Sequence, residues 1–329
     1  MKLLTSNKQM RTSLVIKDHV IRYVHAKKPF LTAIQSYGER FLPSGIVQDG
    51  QVVDRDTFKI IIDECIEAWG LKGQSVQFCA PDAFVVIKNI QLSYDIPENE
   101  IRGHLFLELG ESIHLPFEDP VFDYQIIGDK NGKRDVILIA SREKSVLQMR
   151  NMLSEYKLKP NAADLSSLSI YRLLHKMEKV HADEHVLLVQ FDVTSANATI
   201  FTNDLPVFTR HFKPTVSLNS WVVDYEGGTE RLVWKGNEAE IDGQTREIYT
   251  EIDRVLKFYH FSVNDGKASV TRMILVGDHP YLNKMVKMCR ENLDVQVDSG
   301  MDESIETKKG SLPQHFFEAA GLALKKEVQ

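Results

Sequence analysis

The sequence predicts an α/β protein of two domains, because each half of the chain opens with strands and continues with helices. Its 329 residues exceed the length of a typical single domain. A polar break at residues 181–185 separates the halves. Three strand-like segments follow it, at residues 186–191, 197–201 and 207–212, and they repeat the opening of the first half. This repetition suggests an ancient duplication.

The first half opens with two runs rich in β-branched residues, at residues 13–16 and 20–26. The polar turn Lys17-Asp18-His19 between them predicts a tight hairpin, and a third strand is expected within residues 31–36. Asp54 is then placed to cap a helix. Apolar residues follow it at helical spacing: Phe58, Ile61, Ile62, Cys65, Ile66 and Trp69.

Strand and helix patterns alternate from there to the polar break. Strands are expected at residues 76–80, 84–92, 121–127 and 135–140, and helices at residues 97–109, 143–156 and 166–179. The short segment at residues 160–164 is expected only to connect two helices.

The second half is least readable at residues 217–242, where charges of both signs surround two tryptophans. Beyond this region, helices are expected at residues 245–260, 281–292 and 316–324, and strands at residues 271–276 and 295–297. The last helix carries the small residues Ala319, Ala320 and Gly321, which allow a neighbouring element to approach closely.

Charge and composition exclude several classes of protein. The net charge of −6 arises from both signs mixed along the chain, which gives no argument for nucleic acid or for docking on an anionic membrane. The three cysteines, Cys65, Cys79 and Cys289, lie far apart, as suits a reducing cytosol. The start resembles no signal peptide, and no segment approaches the ~18 apolar residues of a spanning helix. We therefore expect a cytoplasmic protein.

Motifs of catalysis or metal binding are not found. Residues 128–134 come nearest to a P-loop, but they are one residue short and end in Arg134, where Mg²⁺ binding needs Ser or Thr. We interpret them as a hairpin turn. The histidines and acids of residues 181–185 imitate a metal cluster, but a polar linker does not fix their geometry. The sequence thus predicts no catalytic residue and no metal site.

Five segments, in the same order along the chain, resemble the PilM family, the actin-like assembly proteins of type IV pili. The Pro, aromatic and acidic spacing of one of them, residues 115–128, is the most similar. The five segments are residues 42–50, 80–87, 115–128, 251–259 and 317–324. The division protein FtsA has a related layout but ends in an amphipathic membrane-binding helix, which residues 322–329 do not resemble. We therefore expect no direct membrane insertion.

The resemblance implies an actin-like (ribonuclease H-like) α/β fold, duplicated in two domains. Domain one is expected at residues 1–180, with an inserted subdomain at about residues 75–164. Domain two is expected at residues 181–310, with a reduced outer subdomain at about residues 213–243. Residues 311–329 are expected to form a C-terminal helix that packs back toward domain one.

Members of this family hold ATP with two polar turns and a glycine cluster, and all three differ in this chain. Lys17, Asp18 and His19 stand where the first phosphate turn should lie. In the second turn, Gln190 replaces the family's Asp and Asp192 replaces its Gly, while Thr194 and Ser195 keep hydroxyl groups. Only Gly277 remains of the nucleoside-side glycines.

These changes indicate a protein without a cofactor, since each lost hydrogen bond to phosphate is worth ~1.5–3 kcal/mol and micromolar binding totals about 8 kcal/mol. The alternative is an altered pocket that still takes ATP and Mg²⁺. In that case Lys17, His19 and Arg22 would form an unorthodox anion site. Otherwise these three residues are interpreted as exposed charges of a hairpin.

The resemblance also implies a scaffold function and a partner. PilM captures the cytoplasmic N-terminal segment of PilN, a membrane protein, in a groove between the first subdomain and the insert, and it works among other inner-membrane assembly proteins of the pilus. Leu115, Phe117, Phe122 and Tyr124 are candidate walls of this groove, and core packing is the alternative. An actin-like ATPase with an altered ATP pocket and a sugar-kinase-like enzyme are the alternative functions.

Overall fold

The computed structural model describes residues 11–130, 132–214, 218–226, 229–300, 305–307 and 310–326. Two five-stranded sheets, one in each half, form the framework. The predicted outer subdomain, residues 213–243, and the predicted end segment, residues 311–329, lie partly outside the described residues. Within the part of the chain that is described, no helix is both long and apolar enough to cross a membrane.

The first half begins with β1 (Arg11–Lys17), β2 (Val20–Ala26), β3 (Ile34–Phe41), β4 (Val47–Gln48), β5 (Gln51–Val52), α1 (Arg55–Ala68) and β6 (Ser75–Cys79). β1 and β2 form the predicted hairpin. The side chain of Asp54 accepts a hydrogen bond from the backbone N–H of Thr57 at 3.1 Å, which confirms its role as a helix cap. Phe58 and Ile62 of α1 are buried in a core shared with the sheet.

The insert consists of β7 (Val85–Ser93), α2 (Ile101–Glu108), β8 (Pro120–Lys130) and β9 (Lys133–Arg142). β9 lies between β7 and β8, and both pairings are antiparallel. Ile101 and Leu105 of α2 are buried in a small core against this sheet. At the edge of β7, the side-chain amide of Asn89 donates to the carbonyl of Val207 in the second half at 3.4 Å. The insert therefore touches both halves of the molecule.

The chain returns to the first sheet through α3 (Glu143–Glu155), β10 (Lys159–Asp164) and α4 (Ser166–Lys176). Residues 160–164, expected only to connect two helices, instead belong to the strand β10. They do so because they pair in parallel with β6 at the edge of the sheet, with Asp164 opposite Cys79. The separate sheet of the insert thus lies within residues 85–142, inside the wider limits expected from the sequence.

The second half contains β11 (His185–Phe191), β12 (Ala196–Thr202), β13 (Leu205–Phe212), β14 (Trp221–Glu226), β15 (Thr229–Trp234), α5 (Glu238–Phe258), β16 (Arg272–Val276), α6 (Leu282–Asn292), β17 (Gln296–Ser299), β18 (Ile305–Thr307), β19 (Gly310–Leu312) and α7 (Phe317–Ala323). Its strand order β17-β16-β11-β12-β13 repeats the order β10-β6-β1-β2-β3 of the first sheet. In each sheet the three strands that come first along the chain pair antiparallel: β1, β2 and β3, and β11, β12 and β13. The two later strands of each sheet are added in parallel. This repeat confirms the predicted duplicated α/β architecture.

The region that was least readable from the sequence, residues 217–242, contains a two-stranded hairpin of β14 and β15. α5 follows it and begins at Glu238, well before the expected start at residue 245. The side chain of Asn237 caps the helix by accepting a hydrogen bond from the backbone N–H of Ala239 at 2.9 Å. The helix is followed by a π-helical turn at Tyr259–Val263.

A layer formed by α4 and α7 lies between the two sheets. Its core includes Val15 of the first sheet and Leu188 of the second. α7 approaches α4 so closely that a Cβ at Gly321 would lie 1.8 Å from the carbonyl oxygen of Ser169. The close approach predicted from the small residues of this helix is therefore present, and it joins both domains around one core.

Candidate functional site

Two turns face each other across the cleft between the domains, because the two sheets share one topology. The first joins β1 to β2 and the second joins β11 to β12. The ammonium of Lys17, in the first turn, lies 2.5 Å from a carboxylate oxygen of Asp192 in the second. It also lies 2.7 Å from a carboxylate oxygen of Glu318 in α7. Lys17 therefore connects both domains and the last helix.

A second group of charges surrounds Asp278, which follows β16. Its Oδ2 lies 2.7 Å from Nε2 of His19 and accepts a hydrogen bond from Nη1 of Arg22 at 2.6 Å. Arg22 also donates through Nε to Glu39 at 2.8 Å. The side chains of His19, Arg22 and Asp278 are each at most 4% exposed. Buried charges require good partner geometry, and Arg22 and Asp278 have it. Nδ1 of His19, in contrast, is buried without a hydrogen-bond partner among the described residues.

The two groups are joined through Gln190 and the backbone. The side-chain amide of Gln190 donates to Asp192 at 2.8 Å and to Glu318 at 2.9 Å. The backbone N–H of Asp278 donates to Oδ1 of Asp192 at 3.2 Å. We call this set the cleft network; its members are Lys17, His19, Arg22, Gln190, Asp192, Asp278 and Glu318.

Burial and charge act against each other within the cleft network. Burial raises the pKa of Asp192 to about 6, although the Lys17 ammonium is adjacent. Burial also opposes ionisation of Asp278, but His19 and Arg22 outweigh it and hold the pKa of that carboxyl well below its usual range. For Lys17, burial disfavours the charge, yet the surrounding carboxylates prevail and raise its pKa above the ordinary value. Lys17 is therefore an ammonium at neutral pH.

Asp82 makes a further contact between the domains, next to the cleft network. Its carboxylate accepts a hydrogen bond from the hydroxyl of Ser166 at 2.5 Å and from the side-chain amide of Asn197 in β12 at 2.9 Å. Burial, together with the nearby Glu318 carboxylate, raises the pKa of Asp82 to about 7. The charge of this carboxyl group thus changes near neutral pH.

Asp18, the middle residue of the first turn, does not join the cleft network. Its carboxylate accepts hydrogen bonds from the backbone N–H groups of Asp49 at 2.9 Å and Gly50 at 2.8 Å. These two residues form the turn between β4 and β5. Asp18 therefore fixes one loop of domain one against another.

Lys17, His19 and Arg22 are not exposed charges of a hairpin, so that interpretation is wrong. His19 and Arg22 are each 3% exposed. All three lie against carboxylates of the second domain or the last helix. The interpretation failed because the carboxylates that pair with these residues come from distant parts of the sequence.

Thr194, Ser195 and Gly277 are the remaining residues that were assigned from the sequence to the vestigial nucleotide turns. Thr194 and Ser195 lie partly exposed in the second turn, where the backbone carbonyl of Ser195 accepts from the N–H of Asp192 at 2.9 Å. Gly277 has a φ of +131°, and a Cβ there would lie 2.0 Å from the carbonyl oxygen of Phe191. Glycine is required at this position because the ends of β16 and β11 meet in backbone contact.

Two cavities lie beside the cleft network. The smaller, of about 50 Å³, is lined by residues that include Lys17, Asp82 and Asp192. The larger, of about 530 Å³, is lined by residues that include His19 and Asp278. Ligand sites usually occupy ~300–1,000 Å³. Only the larger cavity reaches that volume.

The four candidate groove residues do not form one open wall. Phe122 and Tyr124 pack against the core of the insert. The guanidinium of Arg102 lies over both rings, 5.2 Å and 5.8 Å from their centroids. Leu115 and Phe117 lie partly exposed in the segment between α2 and β8. For Phe122 and Tyr124, the placement agrees with the core-packing interpretation.

Another groove, of about 220 Å³, lies between domain one and the helix that follows the insert. Its lining includes Gln51 of β5, Arg55 of α1, and Met149 and Met152 of α3. Both methionines are 5% exposed, and Arg55 pairs with Glu155 at 2.9 Å. The sequence signal for this groove is the methionine pair three positions apart on an amphipathic helix.

Asp82, Asp278 and Glu318 were missed as site residues by sequence reasoning. Glu318 does carry a signal, because it is the only charged residue in the apolar segment at residues 316–324. A carboxylate inside such a helix needs a partner if it is buried. Asp278 and Asp82 follow strand ends, but nothing in the local sequence indicates which groups they meet.

The comparisons with known proteins agree with this architecture. The sequence model of the family described as "Type IV pilus assembly protein PilM" matches residues 16–214, which is more than half of the chain. The chain belongs to the PilM family. No curated protein sequence matches it. In the described part of this PilM-family chain, no group of three His, Cys, Asp or Glu side chains is placed to hold a metal ion.

Two solved structures show the fold of this PilM-family chain. The "PilM-PilN type IV pilus biogenesis complex" matches with a TM-score of 0.73 and 16% identity, over 95% of this chain and 97% of that chain. A Bacteroides thetaiotaomicron protein "with actin-like ATPase fold and unknown function" matches with a TM-score of 0.52 and 12% identity, over 99% and 100% of the two chains. The predicted actin-like fold is confirmed.

Proposed function

We propose that this PilM-family chain is a cytoplasmic scaffold of a type IV pilus, secretion or competence machine. It binds the cytoplasmic N-terminal segment of a PilN-like membrane protein and does not hydrolyse ATP. Family membership and the fold shared with a PilM-PilN complex support this partner. Such a partner recruits the chain to the inner face of the cell membrane, where it meets other assembly proteins.

The Lys17 salt bridges carry the proposal that the scaffold works without ATP. The Lys17 ammonium lies between Asp192 and Glu318, at 2.5 Å and 2.7 Å. Mg²⁺ requires oxygen ligands, and one oxygen of each of these two carboxylates is already paired with the Lys17 ammonium. A metal ion bound there would displace the largely buried Lys17 ammonium from both partners, and breaking a buried pair costs about 3–5 kcal/mol. That is a large share of the about 8 kcal/mol in a micromolar complex.

The volume of the cleft supports the same proposal. The cavity beside Lys17 and Asp192 measures about 50 Å³, far below the ~300 Å³ at which ligand sites begin. The larger cavity has room, but Arg22 and Asp278, which line it, already pair with each other, and Arg22 also pairs with Glu39. Phosphate oxygens would have to break these pairs.

The groove beside α3 is our candidate position for the partner segment. It lies between β5, α1 and the helix that leaves the insert, and it offers the buried methionines Met149 and Met152. Methionine adapts its shape to apolar side chains, which suits the capture of a short peptide. Exposed polar groups such as Gln148 line the same groove and can bond the peptide backbone.

Calorimetric titration tests this proposal. The probe is a synthetic peptide of the cytoplasmic N-terminal segment of a PilN-like membrane protein from the same organism, added with and without Mg-ATP. We expect the same affinity in both conditions, because Lys17 already pairs with Asp192 and Glu318 without nucleotide. Binding that requires Mg-ATP, or hydrolysis and polymerisation that depend on it, would instead show an actin-like ATPase with an altered pocket.

A pair of variants locates the peptide. Gln148→Trp fills the groove from an exposed position of α3 and should weaken peptide binding at least about tenfold. Arg150→Trp is the matched control, since Arg150 is exposed on the same helix but does not line the groove. Equal affinity of both variants for the peptide would place the partner elsewhere.

A further inference from the structure

Helix α2 of the insert is apolar on two opposite faces. Ile101 and Leu105 point into the core of the insert and are fully buried. Phe106 and Leu107, which lie on the outer face of the helix, are 64% and 71% exposed. A surface helix normally carries polar residues on its outer face, and one that is apolar all round is usually covered. The outer face of α2 therefore has the character of a contact surface.

Single exposed apolar residues are normal on protein surfaces and need no explanation. This pair differs because two large apolar side chains are adjacent, largely exposed, and opposite an apolar face that the insert already uses. Gly103 lies on the same outer face. A Cβ added at Gly103 would have no neighbouring group within 4 Å, so the space beside the two side chains is open. We call Gly103, Phe106 and Leu107 the α2 ridge.

The chain around the α2 ridge is strongly acidic. Residues 94–119 contain seven acidic side chains and a single arginine. The acids are Asp95, Glu98, Glu100, Glu108, Glu111, Glu118 and Asp119. Arg102 is engaged by Asp123 at 3.1 Å. Among ion pairs between described residues, only Glu98 of the seven has a partner, Arg134 at 3.9 Å.

We propose that the α2 ridge is a docking site for a basic amphipathic segment of another protein. Apolar side chains of that segment would cover Phe106 and Leu107, and its lysines or arginines would meet the surrounding carboxylates. Charge selects this occupant among three. A second copy of the chain would bring the same acidic surface and be repelled. An anionic lipid surface would be repelled as well.

This docking site is separate from the peptide groove and from the cleft network. The groove is lined by β5, α1 and α3, and the ridge residues are not part of it. The proposal therefore goes beyond the proposed function: it adds a second partner surface, of basic and apolar chemistry, and each can fail without the other.

Fluorescence anisotropy of a labelled probe tests the docking site. The probe is a synthetic helical peptide of leucine and lysine with its leucines on one face, and the reference probe has glutamate in place of lysine. We expect the cationic peptide to bind the full chain, with an affinity that falls as salt is added. The anionic peptide should not bind. Equal binding of both peptides, or of neither, would overturn the proposal.

Variants place the binding on the ridge. The double variant Phe106→Ser with Leu107→Ser should weaken binding of the cationic peptide by about tenfold or more, because apolar anchors dominate such contacts. Ile60→Ser is the matched control: Ile60 is 64% exposed on α1, away from the insert. Glu100→Lys with Glu111→Lys should also weaken binding. Unchanged affinity in the ridge variant would refute the site.

The two other occupants have their own readouts. Binding to vesicles that contain phosphatidylserine, lost in the ridge variant, would show a membrane surface instead. A dimer in solution that the ridge variant dissociates would show a second copy of the chain. Thermal unfolding of each variant checks the fold, and the exposed positions of Phe106 and Leu107 predict little change in Tm.

Discussion

Lys17 and Asp192 are separated by 175 positions in the sequence and by 2.5 Å in the structure. One lies in the first turn of domain one and the other in the corresponding turn of domain two. Where the two turns meet, this chain places a cation against an anion. The domains are thus held together across the cleft by the protein's own side chains.

Removing the Lys17 ammonium tests how much this contact contributes to stability. In Lys17→Met, Asp192 and Glu318 stay buried but lose their cation, so we expect the free energy of unfolding to fall by about 3–5 kcal/mol. Urea denaturation measures it. Lys27→Met, at an exposed position, is the control and should change stability by less than about 0.5 kcal/mol. A similar small change for both variants would contradict the assigned role of Lys17.

The raised pKa of Asp82, about 7 against an ordinary 3.8, predicts a pH dependence. A carboxyl whose folded pKa is raised stabilises the fold fully below its unfolded pKa, and this contribution is lost as pH rises through about 7. Asp82→Asn keeps hydrogen-bonding groups for Ser166 and Asn197 but carries no charge. We expect this variant to gain stability relative to the parent by about 1.4 kcal/mol per pH unit as pH rises from 5 toward 7, and the gain levels off above about 7.

Comparing Asp82→Asn with the parent protein separates the titration of Asp82 from that of groups whose pKa shifts change stability in the opposite direction with pH. Burial lowers the pKa of His279 to about 3, so its contribution is lost as pH falls below the ordinary histidine value of 6.5. Because His279 is unchanged in Asp82→Asn, its effect cancels in the difference. Urea denaturation at several pH values gives the curve. Parallel curves for variant and parent would show that Asp82 does not titrate in this range.

Two helical glycines provide a matched test of close packing. Gly321→Ala places a Cβ 1.8 Å from the carbonyl oxygen of Ser169, so the α4–α7 layer must move apart. Such overpacking costs about 1–3 kcal/mol or more. Gly243→Ala, in an exposed position of α5 with open space around it, should instead stabilise by roughly 0.5–1 kcal/mol. Thermal unfolding compares them, and equal Tm values would refute the described contact.

Thermal unfolding also tests the absence of nucleotide binding that we propose. A ligand present at about 100 times its Kd stabilises a protein by about 2.7 kcal/mol. Millimolar Mg-ATP would therefore raise the Tm by several degrees if the cleft bound it at tens of micromolar. We expect no shift beyond that of Mg²⁺ with inorganic phosphate. A rise specific to ATP, removed by Asp192→Asn, would contradict the proposal.

Local signals determine how much of the fold the sequence predicts. The hairpin of β1 and β2 and the helix capped by Asp54 follow from nearby residues, and both are present. β10 could not be predicted this way, because residues 159–164 lack β-branched side chains and become a strand only by pairing with β6. The start of α5 had a usable signal, the cap residue Asn237, in a segment whose polar character obscures the helix.

The site is less predictable because its contacts are long-range. The family resemblance identifies the two turns, and the structure brings Lys17 and Asp192 together as those turns imply. Their opposite charges could have suggested a pair. The contributions of Glu318 and Asp278 depend on how α7 and the end of β16 pack, which no local pattern reveals. Likewise, only the structure shows that the guanidinium of Arg102 lies over the Phe122 ring at the core of the insert.

The position of α7 between the two sheets also governs the order in which a newly synthesised chain matures. The ribosome releases β1 and β2 well before α7. Until then, the valines Val15 and Val24 lack the helix that shields them, so the first domain remains unfinished while the second is being translated. The core around β1 and β2 is therefore completed only when residues from the far end of the described chain have been translated.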